Sequence, residues 1–212
     1  MEQPLVSCIM PTANRHKYIP FAVDYFLQQN YPNTELVIID DGKETVRDLL
    51  PPVTNIKYFY MPPMGTIGTK RNYACEKAQG QIIVHWDDDD WYAYDWVSQQ
   101  VNFLISSGAD ICGIRHIHHY AAITNTFWQG DALNRNNPNS KPFLAGATMV
   151  YWKSFWEKNP FKNLQKGEDE GFVQTTGAKI FAHDYIDGFI AMLHPDNTTI
   201  KPFEKRSHKR NY

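Results

Sequence analysis

Four consecutive carboxylates, Asp87, Asp88, Asp89 and Asp90, follow directly on the apolar run Ile82-Ile83-Val84 and are closed by Trp91. A run of strand character that drives into acidic residues is expected to carry them at the carboxyl end of a buried strand. In open α/β sheets that edge is where ligands bind. Adjacent carboxylates raise one another's pKa values unless a cation or ordered donors neutralise them. Hard oxygen ligands in this place suit Mg²⁺ or Mn²⁺, held partly by protein and partly by substrate phosphates; the ordinary alternative is a solvated acidic turn. Asp40 and Asp41 end a second apolar run and precede Gly42, where an Asp-Gly turn without a ligand is common. Glu168, Asp169 and Glu170 stand between Gly167 and Gly171, either complementing a helix dipole or offering a base. Lys70 and Arg71 fall in the first turns of an expected helix. Cations there oppose the dipole, so a bound anion would help explain them.

The elements that must position these groups are legible from periodicity. Residues 5–10, 36–39, 56–60, 82–84 and 110–114 read as short buried strands, the first closed by Pro11 with a turn over residues 11–14. Ile19, Ala22, Val23, Phe26 and Leu27 recur at helical spacing. So do Ile67, Arg71, Ala74, Cys75 and Ala78 before Gly80, and Val97, Val101, Leu104 and Ile105 before Gly108. The alternation predicts an α/β fold with a mostly parallel sheet and helices on its faces. After residue 115 the pattern loosens. Residues 116–120, 146–151, 179–182 and 189–193 are expected strands, residues 152–158 a short helix, residues 167–173 the opening of another, and residues 134–142 a mobile loop.

The 212 residues are enough for one substantial domain, here divided into residues 1–115, 116–200 and a basic tail, 201–212. A net charge of −2 argues against a general nucleic-acid binder. Cys8, Cys75 and Cys112 are an odd number with no CxxC pair, so neither a zinc site nor a disulfide framework is indicated. The first residues lack the regions of a signal peptide, and no apolar run approaches membrane-spanning length. The expectation is a soluble cytoplasmic protein. Its tail, with Lys201, Lys205, Arg206, Lys209 and Arg210, is compatible with peripheral contact at the inner membrane face.

In register along the chain, Pro4-Leu5-Val6-Ser7-Cys8-Ile9-Met10-Pro11-Thr12, Gln29-Asn30-Tyr31-Pro32 and Glu35-Leu36-Val37-Ile38-Ile39-Asp40-Asp41-Gly42 resemble family 2 glycosyltransferases of the GT-A fold. Gly65, Lys70-Arg71-Asn72, Ala74 and Gly80 fit the same pattern. The four aspartates stand where that family carries its DXD motif, and Glu168-Asp169 where it carries its acidic base motif. The resemblance runs from about residue 4 to about residue 200. It implies a Rossmann-like GT-A fold and an inverting, metal-dependent hexosyltransferase-type enzyme that takes a nucleotide-sugar, a UDP-sugar first, to a saccharide or lipid-linked acceptor, as in cell-surface polysaccharide or glycolipid synthesis.

Residue by residue, the resemblance gives Asp89 to the Mn²⁺ or Mg²⁺ ion. Asp87 shares its face if the segment is extended, and Asp87 and Asp88 serve the ribose or bound water. Asp90 is expected to cap the following helix. Pro11, Thr12 and Asn14 form the turn beside the nucleotide, Asp41 accepts from the base, Asp40 supports that turn, and Lys70 and Arg71 reach the donor. Ala13 departs from the pattern: an aromatic residue usually stands there to stack on the base. Asp169 is the general base and Glu168 its positioning partner. His194 is a third metal ligand or a diphosphate contact, with a structural role as the alternative. His116, His118 and His119 lack the spacing of a zinc site and are read as acceptor-side or surface residues. Trp128, Trp152 and Trp156 are candidates for a sugar platform, with core packing expected for at least two of them. Two competing readings are a catalytically silent nucleotide-sugar-binding module and a sugar-phosphate nucleotidylyltransferase. The latter would need a glycine-rich basic loop where Pro11-Thr12-Ala13-Asn14-Arg15 stands.

Overall fold

The central strand of the protein is β1 (Val6–Thr12), buried along almost all of its length. The computed structural model describes residues 3–131 and 144–197, so the expected loop at 134–142 and the basic tail lie outside the described residues. β1 pairs in parallel with β2 (Thr34–Asp40) and with β4 (Ile82–His85), and β2 pairs in parallel with β3 (Ile56–Tyr60). α1 (Ile19–Leu27) links β1 to β2, and α2 (Ile67–Lys77) links β3 to β4. After β5 (Trp91–Tyr92) and α3 (Trp96–Ser107) the chain enters β6 (Ile111–Ile114). The seven-stranded sheet has the order β10-β6-β9-β4-β1-β2-β3, where β9 is Val150–Trp152 and β10 is Ile180–His183. β9 pairs antiparallel with both β4 and β6, while β10 is parallel to β6, so the sheet is mostly parallel as expected.

Alternation along the strands splits the core. Val6, Cys8, Met10, Leu36, Ile38, Ile82 and Val84 pack under α1 and α3, and Ile9, Val37, Ile39 and Ile83 pack under α2. All three cysteines are free and buried. Burial pushes the Cys75 and Cys112 thiols up to about 12 and about 11, so both behave as small hydrophobes. Trp156 is buried and donates from Nε1 to Asn72 Oδ1 at 2.9 Å, and Trp152 packs against the core and donates to the Ala109 carbonyl at 3.2 Å. Both are structural. Among the described residues no helix is long and apolar enough to cross a membrane.

Two expectations are corrected and one unforeseen feature is added. β1 continues through Pro11 and Thr12, pairing Thr12 with Asp40, instead of stopping at Pro11. The Ile9 carbonyl accepts from Trp86 N on the β4 side. Pro11 has the same parity, so its missing N–H faces the side that β4 has already left, and costs no ladder bond there. Residues 146–151 are not one strand: a 3-10 turn, Gly146–Thr148, precedes β9. Thr148 Oγ1 holds that turn by donating to the Ala145 carbonyl at 2.7 Å and accepting from Ile114 N at 3.2 Å. A second, four-stranded sheet, β5-β11-β7-β8, is not legible as a unit in the sequence pattern; β7 is His116–Ala121, β8 Thr126–Asp131 and β11 Phe189–Leu193. Between β7 and β8 the chain turns through Asn125 at φ 49. The remaining helices are α4 (Lys153–Lys158) and α5 (Glu168–Val173).

Candidate active site

The carboxyl ends of β1, β2 and β4 meet at one edge, and there they open onto a cavity of about 1100 Å³. Thr12, Asp41, Lys70, Arg71, the four aspartates of residues 87–90, Glu168 and Asp169 all line it. At the end of β2, Asp40 is fully buried and accepts from Gly42 N at 2.9 Å, Tyr58 Oη at 2.7 Å and Val46 N at 3.2 Å, as a residue supporting the turn should. Asp41 points into the cavity. One of its oxygens accepts from Lys70 Nζ at 2.7 Å and the other from Met64 N at 2.9 Å. Lys70 also donates to the Thr12 carbonyl at 3.3 Å, so it ties the ends of β1 and β2 together. Pro11, Thr12, Ala13 and Arg15 line the cavity. Asn14, at φ 56, instead accepts from Lys43 N at 2.8 Å and holds its own loop to the β2 turn.

The four aspartates diverge. Asp88 and Asp89 form a turn, so the alternation of an extended segment does not apply and Asp87 and Asp89 do not share a face. Asp87 faces Arg71, with Oδ1 3.8 Å from Nη2. Asp88 is buried and accepts from Thr12 Oγ1 at 2.5 Å. Burial, then the charges of Asp89 and Asp87, push its carboxyl up to about 7, against the opposing Thr12 bond and Arg15. Asp89 Oδ2 meets His194 Nε2 at 2.9 Å, Arg15 Nη1 at 3.1 Å and Asn197 Nδ2 at 3.2 Å. Asp90 does not cap α3: it accepts from Met192 N at 2.9 Å and fastens the acidic turn to β11.

Among the described residues, no three His, Cys, Asp or Glu side chains converge to hold a metal ion by themselves. The structure brings together two of the three candidates, Asp89 and His194. Asp89 Oδ2 and His194 Nε2 lie 2.9 Å apart. A carboxylate and an imidazole, with phosphate oxygens completing the shell, is a donor set that fits Mn²⁺ or Mg²⁺. His194 Nδ1 accepts from Asp196 N at 3.1 Å, so the neutral ring carries its proton on Nε2 and donates it to Asp89. Ligation through Nε2 would therefore require that proton to move and the Asp196 contact to open.

Glu168 and Asp169 begin α5, entered through Gly167 at φ 80. Glu168 is buried and paired with Arg71, which joins it to Asp87 across the cavity floor. Asp169 Oδ1 accepts from Glu170 N at 2.7 Å, and Oδ2 lies directly over Gly146, where an added Cβ would collide with it. The Gly146 carbonyl is 2.6 Å from His85 Nδ1, and His85 Nε2 is 3.2 Å from Tyr151 Oη. Burial, followed by the nearby Arg71 charge, holds His85 well below the usual imidazole range, so it is neutral. Its proton is on Nδ1, donated to Gly146, and Tyr151 donates to Nε2. Sequence reasoning missed Gly146 and His85; the available signal was a histidine between an apolar strand and the acidic block. Gly146→Ala is expected to displace the Asp169 carboxylate; if Asp169 is the general base that the family resemblance implies, turnover of a nucleotide-sugar falls about 100-fold with KM unchanged. An unaltered turnover would show that the position of Asp169 does not matter.

The opposite wall of the cavity comes from the second sheet, with Ile117 and His119 of β7 and Phe189 and Ala191 of β11. His119 stacks on Trp128 with centroids 5.4 Å apart and an interplanar angle of 11°. His118 turns elsewhere, pairing with Asp187 at 3.0 Å.

Residues 7–183 match the profile of glycosyl transferase family 2. An uncharacterized glycosyltransferase of Haemophilus influenzae is 35% identical over 112 residues, which are 50% of this chain and 45% of that protein. The chain spans less than half the length of the first curated relatives it matches. Among solved structures, Staphylococcus aureus TarS 1–349 in complex with UDP-GlcNAc is similar with a TM-score of 0.68 over 92% of this chain and 60% of that one, at 19% identity. The mannosyltransferase PcManGT from Pyrobaculum calidifontis, in complex with GDP-Man and Mn²⁺, gives 0.68 over 91% of this chain and 57% of that one, at 16% identity. Likeness at such identities carries the fold, which is GT-A. With the profile covering most of its length, the chain belongs to glycosyl transferase family 2.

Proposed function

We propose that this transferase moves a glycosyl group from a nucleotide-diphosphate sugar, a UDP-sugar first, to an acceptor hydroxyl, with inversion at the anomeric carbon. The observation that carries the reading is that one cavity holds both the aspartates following β4 and, on α5, Asp169 poised over Gly146. The TarS and PcManGT structures, bound to UDP-GlcNAc and to GDP-Man with Mn²⁺, support a nucleotide-sugar and a divalent cation. Asp89 would hold the ion, with His194 and Asp87 as further candidates; bound there, the ion neutralises charge on the leaving diphosphate. Asp41 and Lys70 at the strand ends serve the nucleotide side. Asp169 takes the proton of the attacking hydroxyl, while the Arg71–Glu168–Asp87 group keeps the carboxylates on the two sides of the cavity in register. The apolar wall of Ile117, His119, Phe189 and Ala191 is where a saccharide or lipid-linked acceptor would lie. Ala13 leaves the base without a stacking ring, so the choice among nucleotides falls to experiment.

Calorimetric titration of UDP with and without Mn²⁺ tests this. Binding that needs Mn²⁺ in the wild type, and weakens at least about 100-fold in Asp89→Ala, is the expected result. Loss of a direct ligand should cost no less than loss of an outer-shell partner. If UDP, GDP, CMP and dTDP all fail to bind, the donor-site reading is wrong; nucleotide binding without transfer or donor hydrolysis would favour the silent nucleotide-sugar-binding module.

A further inference from the structure

Arg15 follows Asn14 on the loop from β1 to α1, and the sequence motifs give it no part. Its guanidinium nonetheless sits at the centre of the acidic turn. Arg15 Nη1 is 3.1 Å from Asp89 Oδ2, and the two side chains are only 12% and 11% exposed. The Tyr18 ring lies 5.6 Å from Arg15 Cζ and stacks on His194 at 4.3 Å. Asp89 Oδ2 thus receives Arg15, His194 and Asn197 together. A carboxylate oxygen offers two lone pairs, so a cation cannot bind this one unless a donor leaves. Arg15 is the donor with a permanent positive charge, and therefore the one a divalent ion repels most strongly. Among the described residues its guanidinium makes this one hydrogen bond, although it carries five N–H groups in a fork that matches phosphate.

We propose that Arg15 holds the cation's place on Asp89 in the empty site and is exchanged for it, turning onto the diphosphate of the donor. The proposal rests on the nucleotide-sugar reading above and adds a residue to it. In this arrangement Asp89 stays ordered without an ion, and the ion and nucleotide bind cooperatively, because the arriving ion frees the arginine that the diphosphate needs.

The test compares wild type, Arg15→Gln and Arg15→Lys. Mn²⁺ alone is titrated by water-proton relaxation, and UDP is titrated by calorimetry at saturating Mn²⁺. Asp89 keeps His194 and Asn197 in these variants, so the fold is expected to hold, with thermal unfolding as the control. Arg15→Gln should bind Mn²⁺ alone about three- to tenfold more tightly, because its internal competitor is gone. It should bind UDP in the presence of Mn²⁺ about 10- to 100-fold more weakly, because a charged contact is lost. Arg15→Lys should recover part of the UDP affinity. Mn²⁺ affinity that is unchanged or lower in Arg15→Gln, or Mn²⁺ binding seen in neither protein, overturns the exchange. Unchanged UDP affinity removes Arg15 from the diphosphate. A wild type that binds no nucleotide at all would instead sink the donor-site reading, and this inference with it.

Discussion

Asp169→Asn is expected to lower glycosyl transfer, and donor hydrolysis by the same base, by about 100- to 10,000-fold. That corresponds to roughly 3–5 kcal/mol of barrier. The substitution is nearly isosteric. The new amide oxygen would still accept the Glu170 N–H that now reaches Asp169 Oδ1 at 2.7 Å, and the second atom of the head group would still lie over Gly146. Arg71 keeps Asp87 and Glu168, so the surrounding charges change little. What disappears is the capacity to take a proton at Asp169, whose α5 neighbour Glu168 is buried and paired with Arg71. Nucleotide affinity, measured by calorimetry with Mn²⁺, is expected to stay within about twofold, since proton transfer is not part of donor binding. A variant that still hydrolyses the donor at the wild-type rate would move the base elsewhere.

The first half of the fold was legible because its elements are local. Apolar runs of strand length alternate with helical spacings, and each run that ends in carboxylates ends at the same edge once the sheet is parallel. The acidic turn itself was harder. Alternation would place Asp87 with Asp89, but the chain turns at Asp88 and Asp89, and that turn is set by partners remote in sequence: Thr12 for Asp88, His194 and Asn197 for Asp89, Met192 for Asp90. The second sheet was hidden for the same reason. Its strands β5, β7, β8 and β11 are scattered over residues 91–193, and β5 is two residues long. Gly146 and His85 could not be read as one feature from the sequence, since neither residue's type signals contact with the other over 61 positions.

Two loops with different jobs converge on the candidate metal position. The β1–α1 loop brings Arg15 and Tyr18, and the segment after β11 brings His194 and Asn197. Both close on Asp89, and the Asp90–Met192 bond ties the acidic turn to β11, the strand that leads into residues 194–197. Arg71 and Glu168, which line the same cavity, are by contrast buried and paired with each other.

That buried pair gives the second large effect, on stability. Arg71→Met is expected to destabilise the protein by about 3–5 kcal/mol at neutral pH, the usual cost of stripping one partner from a buried ion pair. The lower end is the better figure, because the Asp87 side chain is 32% exposed and water can compensate it. For a chain of this size, about 3 kcal/mol is roughly 6–12 °C in Tm. Burial tends to lower the Arg71 pKa, but Asp87, Glu168 and Asp169 together hold it raised, so the wild-type side chain is charged throughout the working range. Burial acts on Glu168 in the opposite sense. Burial raises its carboxyl, Arg71 pulls it back, and Asp169 raises it further, for a net upward shift. The folded state therefore binds that proton more tightly than the unfolded chain does. Its contribution to stability is present at low pH and is lost as pH rises through the raised value. Without Arg71 the Glu168 carboxyl rises further still, so the loss extends to higher pH. The deficit of Arg71→Met should then be largest near neutrality and shrink on acidification, as Glu168 takes up its proton. Urea unfolding of both proteins across the pH range measures this. A deficit that is absent at neutral pH, or that grows toward acid, would mean that Arg71 is not what keeps Glu168 ionised in the core.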